Sequence, residues 1–247
     1  MTPEVIYAIY GDEPIPYLRA SMRALRRHVF PVRCVLYTNK QVELKGFDAV
    51  EIYNIDCNML NVPKSSITDM IRFQALLKST SDLTCYLDND IYVVSKYFIK
   101  GFELAKRFGM CMAMNPRLVI MSPHGNGDVD LGWKYSNKAD DVMIQRDMRI
   151  IGDTPMMWTS VNNGVIFFNT KHKQARRFVE LVLEELAKGF SRGQTATVRA
   201  ILRSDWHPYV LTPHWCADNP MQSMLAMHVG GKYHVHMLEH YNQYFRA

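Results

Sequence analysis

Leu83 to Val94 reads LTCYLDNDIYVV, and two carboxylates, Asp88 and Asp90, stand two residues apart in it with apolar sequence on both sides. In an extended segment residues i and i+2 share a face, and two carboxylates so placed repel each other unless a cation compensates them. A divalent ion is the simplest compensation. Hard oxygen ligands of this kind suit Mg²⁺ or Mn²⁺, ions that also bridge to phosphate oxygens. A second Asp-x-Asp, Asp128-Val129-Asp130, lies in the Gly-, Ser- and Asn-rich stretch SPHGNGDVDLGWKYSNKADD. Carboxylates there are easily solvated, so this pair is expected to be a loop without metal.

Other chemistry is excluded by what the chain lacks. Gly125 and Gly127 form G-x-G without the third spaced glycine of the dinucleotide fingerprint, and no phosphate-loop motif G-x-x-x-x-G-K-[ST] occurs. The five cysteines, Cys34, Cys57, Cys85, Cys111 and Cys216, form no CxxC pair, which argues against structural zinc and for buried thiols. The 16 methionines, in runs such as MCMAM, read as core filling. Lys plus Arg is 29 against 24 for Asp plus Glu, a net +5 that is too mild for a dedicated nucleic-acid binder but leaves room for a basic cleft. RRHV and KHKQARR read as solvated helix faces. No run approaches the ~18 apolar residues of a membrane span, and no signal-peptide pattern opens the chain, so a cytoplasmic protein without an integral membrane segment is expected.

The elements that must position the aspartates alternate in period. Val5 to Tyr10 is a strand-like run. After Pro14 and Pro16, Leu18, Met22, Leu25 and Val29 recur at helical spacing. Val32 to Thr38 and Ala49 to Ile55 read as strands, and Ser66 to Lys78 as a helix with the face Ile67, Met70, Ile71, Gln74 and Leu77. Gly164 to Asn169 reads as a strand, followed by a helix with the face Ala175, Phe178, Val179, Val182, Leu183 and Leu186 and a C-cap at Gly189. A helix near Met221 to His228 and a short strand over Tyr233 to Leu238 complete the expectation, while Asn115 to Trp158 shows few periods. Strands separated by helices imply an α/β fold with a mostly parallel central sheet flanked by helices. Residues 1–247 form one domain in this reading, 1–114 a nucleotide-binding half and 115–247 an acceptor-side half.

Five segments in order resemble the nucleotide-sugar-dependent glycosyltransferases of the GT-A fold: VIYAIYGDEPIPYLRASMRALRRH, SSITDMIRFQALL, YLDNDIYV, VNNGVIFFNT, and NPMQSMLAMH followed by HVHMLEHYNQYF. The resemblance implies a nucleotide diphosphate sugar as donor, a UDP-sugar foremost, with Mn²⁺ or Mg²⁺ at the Asp-x-Asp element. It implies a glycan, protein or small-molecule acceptor. Asp90 would ligate the metal; Asp88 would either contact the ribose or reach the metal through water, with Asn89 between them in the donor site. Arg72 would approach the donor sugar or diphosphate. Asn162 would line the sugar pocket, and Gly164 would permit close backbone approach. Ala8, Ile9 and Tyr10, in the first loop, would hold the base, with Tyr10 as stacking ring. Gln222 would sit by the acceptor or the donor sugar.

The chain departs from that pattern in two places. Met221 stands where many relatives carry an acid before the glutamine, so Asp218 becomes the candidate base. The H-x-x-G-x-x-K-P-W signature of one branch is absent, and His236 and His240 become the candidate nitrogen ligands. His234 and His236 share a face if Tyr233 to Leu238 is a strand, and Tyr241 and Asn242 would position a sugar or phosphate. Two alternatives stand beside the transferase: a non-catalytic relative that binds sugar nucleotide or glycan, kept open by Met221, and a sugar-phosphate nucleotidyltransferase, whose Gly- and Arg-rich opening loop is missing.

Overall fold

Glu4–Ile9 (β1) is buried along its whole length, which a strand achieves only when both faces of its sheet are covered. Val5, Tyr7 and Ile9 enter one core layer and Ile6 and Ala8 the other, as the two-residue period requires. The computed structural model describes residues 2–11, 15–39, 46–52, 64–114, 119–120, 157–158, 161–187, 193–216 and 224–228.

The chain continues through Ile15–His28 (α1), Arg33–Thr38 (β2), Ala49–Ile52 (β3), Lys64–Lys78 (α2), Leu83–Leu87 (β4), Ile91–Val93 (β5), a 3₁₀ turn at Lys96–Ile99 and Lys100–Phe108 (α3). Then come Met110–Met114 (β6), Val119–Ile120 (β7), Met157–Trp158 (β8), Val161–Asn169 (β9), Lys173–Leu186 (α4), Gly193–Arg203 (α5), Tyr209–Leu211 (β10), a 3₁₀ turn at Pro213–Trp215 and Ala226–His228 (β11). Seven strands form the main sheet in the order β10-β6-β9-β4-β1-β2-β3. β4, β1, β2 and β3 run parallel, as do β6 and β10, while β9 lies antiparallel between β4 and β6. The expected mostly parallel α/β sheet is thus present. Side chains of α1 and α3 pack one face, and those of α2, α4 and α5 the other.

Several expectations need correction. α2 begins at Lys64 rather than Ser66, and it buries Phe73, Ala75 and Leu76 besides the expected Ile67, Met70 and Ile71. The reason is that α4 and α5 share its core cluster, so the helix is covered on more than its sheet face. α4 is capped at Ala187, where the chain leaves the helix; Gly189 lies outside the described residues. Ala226–His228 is a strand and not the end of a helix, because it pairs antiparallel with β5. α3 and α5 went unpredicted: α5 (GQTATVRAILR) opens on glycine and carries Thr195, Thr197 and Val198, poor helix formers by propensity. The irregular 115–158 stretch contributes the β7–β8 pair. Cys34, Cys85, Cys111 and Cys216 are buried as expected, while Cys57 and the Tyr233 to Leu238 segment lie outside the described residues.

Candidate functional site

The sheet order makes β1 the point where the chain's direction of travel reverses. β2 and β3 extend to one side of it and β4 lies on the other. In open α/β sheets, ligands bind in the crevice beyond the carboxyl ends of strands at such a point. Tyr10 and Gly11 follow the end of β1 there, and Asp88 the end of β4.

Asp88, Asn89 and Asp90 form a turn rather than a continuous strand. β4 stops at Leu87, the Asp88 amide donates to the Gly164 carbonyl at 2.9 Å, and the Ile91 amide donates back to the Asp88 carbonyl at 3.1 Å. Asp and Asn favour such turns because they bond their own backbone and tolerate its geometry. The i, i+2 argument for a shared face therefore does not apply, and the two carboxylates are presented by a turn at the strand end. Beyond it β5 leaves the main sheet to pair with β11, which sets His228 in register with Ile91.

A register break on the neighbouring strand shapes the other wall. Met112 pairs with Ile166 but Ala113 pairs with Asn162, so residues 163–165 bulge away from β6. Bulges of this kind re-aim side chains next to sites. Asn162 and Asn163 are buried there. Asn162 Oδ1 accepts from the Gly164 amide at 2.7 Å. A Cβ on Gly164 would fall 2.9 Å from both Asn162 Oδ1 and Asp88 Oδ2, so the two side chains close over this glycine.

Arg72 supplies the cation. Its Nη2 donates to Asp88 Oδ1 at 2.6 Å and its Nη1 pairs with Asp69 Oδ1 at 3.0 Å. The guanidinium lies 4.5 Å from the centre of the Tyr86 ring, and the Tyr86 hydroxyl donates to the same Asp88 Oδ1 at 2.7 Å. Burial works against the Arg72 charge, but Asp88, Tyr86 and Asp69 more than offset it, so its pKa rises. Burial, reinforced by Asp88, pushes the Tyr86 phenol well above its ordinary value, which keeps it a hydrogen-bond donor. Arg72 is 9% exposed and Asp88 25%. The acid is the more exposed member of the pair.

Sequence reasoning missed the supports. Asp69 Oδ2 accepts the Gly193 amide at 2.7 Å, and Asn163 Nδ2 donates to Thr197 Oγ1 at 3.1 Å, tying the start of α5 to β9. Asn39 Oδ1 accepts the amide of Gly11, whose φ is 72°. The three-residue spacing of Asp69 and Arg72 was a visible signal for a helical ion pair; the other supports join distant segments and left no local sign.

Of the expected site residues, the structure brings together Arg72, Asp88, Asn162 and Gly164, with Asn89 and Asp90 in the same turn. Ala8 and Ile9 are not in a loop: both are buried strand residues, so only their backbone can meet a ligand. Tyr10 follows directly and is half-buried against the α2 side of the core. Asp218, Gln222, His236, His240, Tyr241, Asn242, Asp128 and Asp130 lie outside the described residues. Among the described residues no group of three His, Cys, Asp or Glu side chains is arranged to hold a metal, and no helix is long and apolar enough to cross a membrane.

No family model and no curated protein matches this sequence. Solved structures do match its fold. One is the galactosyltransferase LgtC in complex with donor and acceptor sugar analogues, with a TM-score of 0.59 at 12% identity over 93% of this chain and 87% of that one. An active-site mutant of LgtC gives 0.57 at 15% identity over 92% and 87%. Mouse xyloside xylosyltransferase 1, in its apo form, gives 0.55 at 10% identity over 94% and 98%. The fold is of the GT-A type shared by these glycosyltransferases.

Proposed function

We propose that this chain is a glycosyltransferase that moves a sugar from a nucleotide diphosphate sugar, a UDP-sugar foremost, to the hydroxyl of a glycan, protein or small-molecule acceptor. One observation carries the reading: at the carboxyl end of β4, Asp88 is held through Oδ1 by Arg72 and Tyr86 while Oδ2 stays beside Gly164. The GT-A fold adds its weight.

The donor set of the turn is hard oxygen, which fits Mn²⁺ or Mg²⁺. Asp88 and Asp90 would hold the ion, with His236 or His240 as nitrogen ligand. Such an ion neutralises charge on a departing diphosphate. Arg72 acts here through Asp88, fixing the carboxylate in one orientation. Asn162 uses Oδ1 on Gly164, so Nδ2 is the donor it offers to a sugar hydroxyl. The backbone at Ala8 and Ile9, the Tyr10 ring and Asn89 would border the nucleotide. Asp218 and Gln222 are the residues proposed for the acceptor side.

A calorimetric screen of nucleotide sugars with and without Mn²⁺, followed by a donor-hydrolysis assay, tests the reading. Metal-dependent binding of one donor with slow hydrolysis is the expected result. Binding without hydrolysis or transfer to any acceptor would favour the non-catalytic relative that Met221 keeps open, and no binding at all would overturn both.

A further inference from the structure

We infer that Asp69 is a positioning residue of this site, acting through Arg72: it takes Arg72 Nη1 on one oxygen and the first backbone N–H of α5 on the other, and so aims the guanidinium that holds Asp88. What Asp88 does for a ligand rests on the function proposed above; the positioning itself rests on geometry.

Three observations converge. First, Arg72 Nε is buried and has no hydrogen-bond partner among the described residues, so that nitrogen does not set the fork. Among the described residues its orientation comes from Asp88, Asp69 and the Tyr86 ring. Asp88 is the group Arg72 must orient; the Tyr86 ring, fully buried in β4, backs the face of the guanidinium, and Asp69 is the fixed acceptor at the other end of the fork. Second, Gly193 admits nothing larger. A Cβ there would stand 2.5 Å from Asp69 Oδ1 and 2.7 Å from Oδ2, distances that real Cβ contacts do not sustain. The carboxylate is seated on bare backbone. Third, the helix that supplies this N–H is itself anchored. The Thr197 hydroxyl lies 2.8 Å from the Gly193 carbonyl and accepts from Asn163 of the β9 bulge. At its far end Arg199 and Arg203 both pair with the fully buried Glu185 of α4. The place of α5 therefore reaches Asp88 by a short path, Gly193 to Asp69 to Arg72.

A double-mutant cycle with a spectroscopic arm decides the point. Mn²⁺-dependent binding of UDP and of GDP is measured by calorimetry for wild type, Asp69→Asn, Arg72→Gln and the double variant. Asp69→Asn should weaken the metal-dependent binding about tenfold alone and less than twofold in the Arg72→Gln background, because its effect runs through the arginine. Equal losses in both backgrounds would overturn the inference, since a plain helix-capping role is indifferent to Arg72. The second arm needs no ligand and no Arg72 variant. Nitrogen-15 spectra should show two resolved Arg72 Nη signals in wild type that merge in Asp69→Asn and in Gly193→Ala. Signals unchanged in both variants would overturn it as well. If wild type binds neither nucleotide, the proposed function falls, and the Nη spectra alone then decide the positioning role.

Discussion

The two ends of the central sheet hold the same ingredients in opposite arrangement. At the amino ends of β1 and β2, Glu4 is buried and saturated: Arg33 pairs with Oε2, and Ser79 Oγ donates to Oε1 at 2.7 Å with Thr84 Oγ1 2.6 Å behind it. There the acid is 1% exposed and the arginine 40%. At the carboxyl end of β4, Arg72 is the buried partner and Asp88 the partly exposed one. The cavity of about 350 Å³ that begins at Glu4 and Arg33 runs along the sheet as far as Tyr37 and Glu51, and has two acids, Glu4 and Glu51, and two bases, Arg33 and Lys78. The Arg72 cluster has two carboxylates for one guanidinium. A buried ion pair fastens the fold when its acid is consumed, and offers a ligand group when the acid is left facing out.

Two substitutions should break the symmetry most sharply. Asp90→Ala is expected to abolish Mn²⁺-dependent nucleotide binding while leaving the melting temperature within a few degrees. Glu4→Ala should do the reverse, costing about 3 kcal/mol of stability by stranding Ser79 and half-burying an unpaired arginine, with donor affinity unchanged. Denaturant melts and calorimetry on the two variants check both halves. An Asp90→Ala protein with intact metal dependence would remove the carboxyl-end turn as the metal site.

Arg72→Lys comes next. Lysine keeps the charge but cannot span Asp69 and Asp88 with a planar fork. Donor binding should persist in part, while turnover at saturating donor and Mn²⁺ should drop on the order of a hundredfold, as for loss of one preorganised contact. Equal turnover would reduce Arg72 to a counterpart of Arg33.

A smaller effect is expected at Gly164. Its alanine variant must displace Asn162 Oδ1 or Asp88 Oδ2, each 2.9 Å from the new carbon, and should weaken metal-dependent donor binding about tenfold, or ~1.4 kcal/mol. A crystal structure or a binding isotherm indistinguishable from wild type would show that the two side chains yield freely.

The smallest effect concerns the core between the two ends. Burial pushes the Cys34 thiol up to about 11 and Cys111 to about 12, so neither carries thiolate at pH 8 and both should resist thiol reagents in the native protein. The unfolded value is about 8.5. A raised folded value means their contribution to stability is complete below pH 8.5 and is lost as pH rises toward 11 and 12. Rapid native-state labelling of Cys34 or Cys111, read by mass spectrometry, would contradict their place in the core.

Most of the parallel half of the fold was legible because buried strands and one-sided helices write their periods locally. β1, α1 and β2 are read from Val5 to Thr38 with errors of about a residue. The Asp-x-Asp element was legible by type and its turn was not, since β4 ends where β9 bulges, a relation between Leu87 and Val165 that no window of sequence contains. The same holds for Asp69 and Gly193, which are 124 residues apart. Helix α5 was hidden for a different reason: its threonines point to strand propensity, and only its packing on α4 and β9 makes it a helix.

The antiparallel insertion of β9 also has a bearing on how the molecule can change. Met114 and Val161 are direct partners, and Val119 pairs with Trp158 just beyond them. The chain therefore leaves the sheet and re-enters it at a single doorway. The free energy of closing such an excursion grows only logarithmically with its length. An insertion or deletion between these two pairings can thus be absorbed at little thermodynamic cost to the sheet that carries the carboxylate turn.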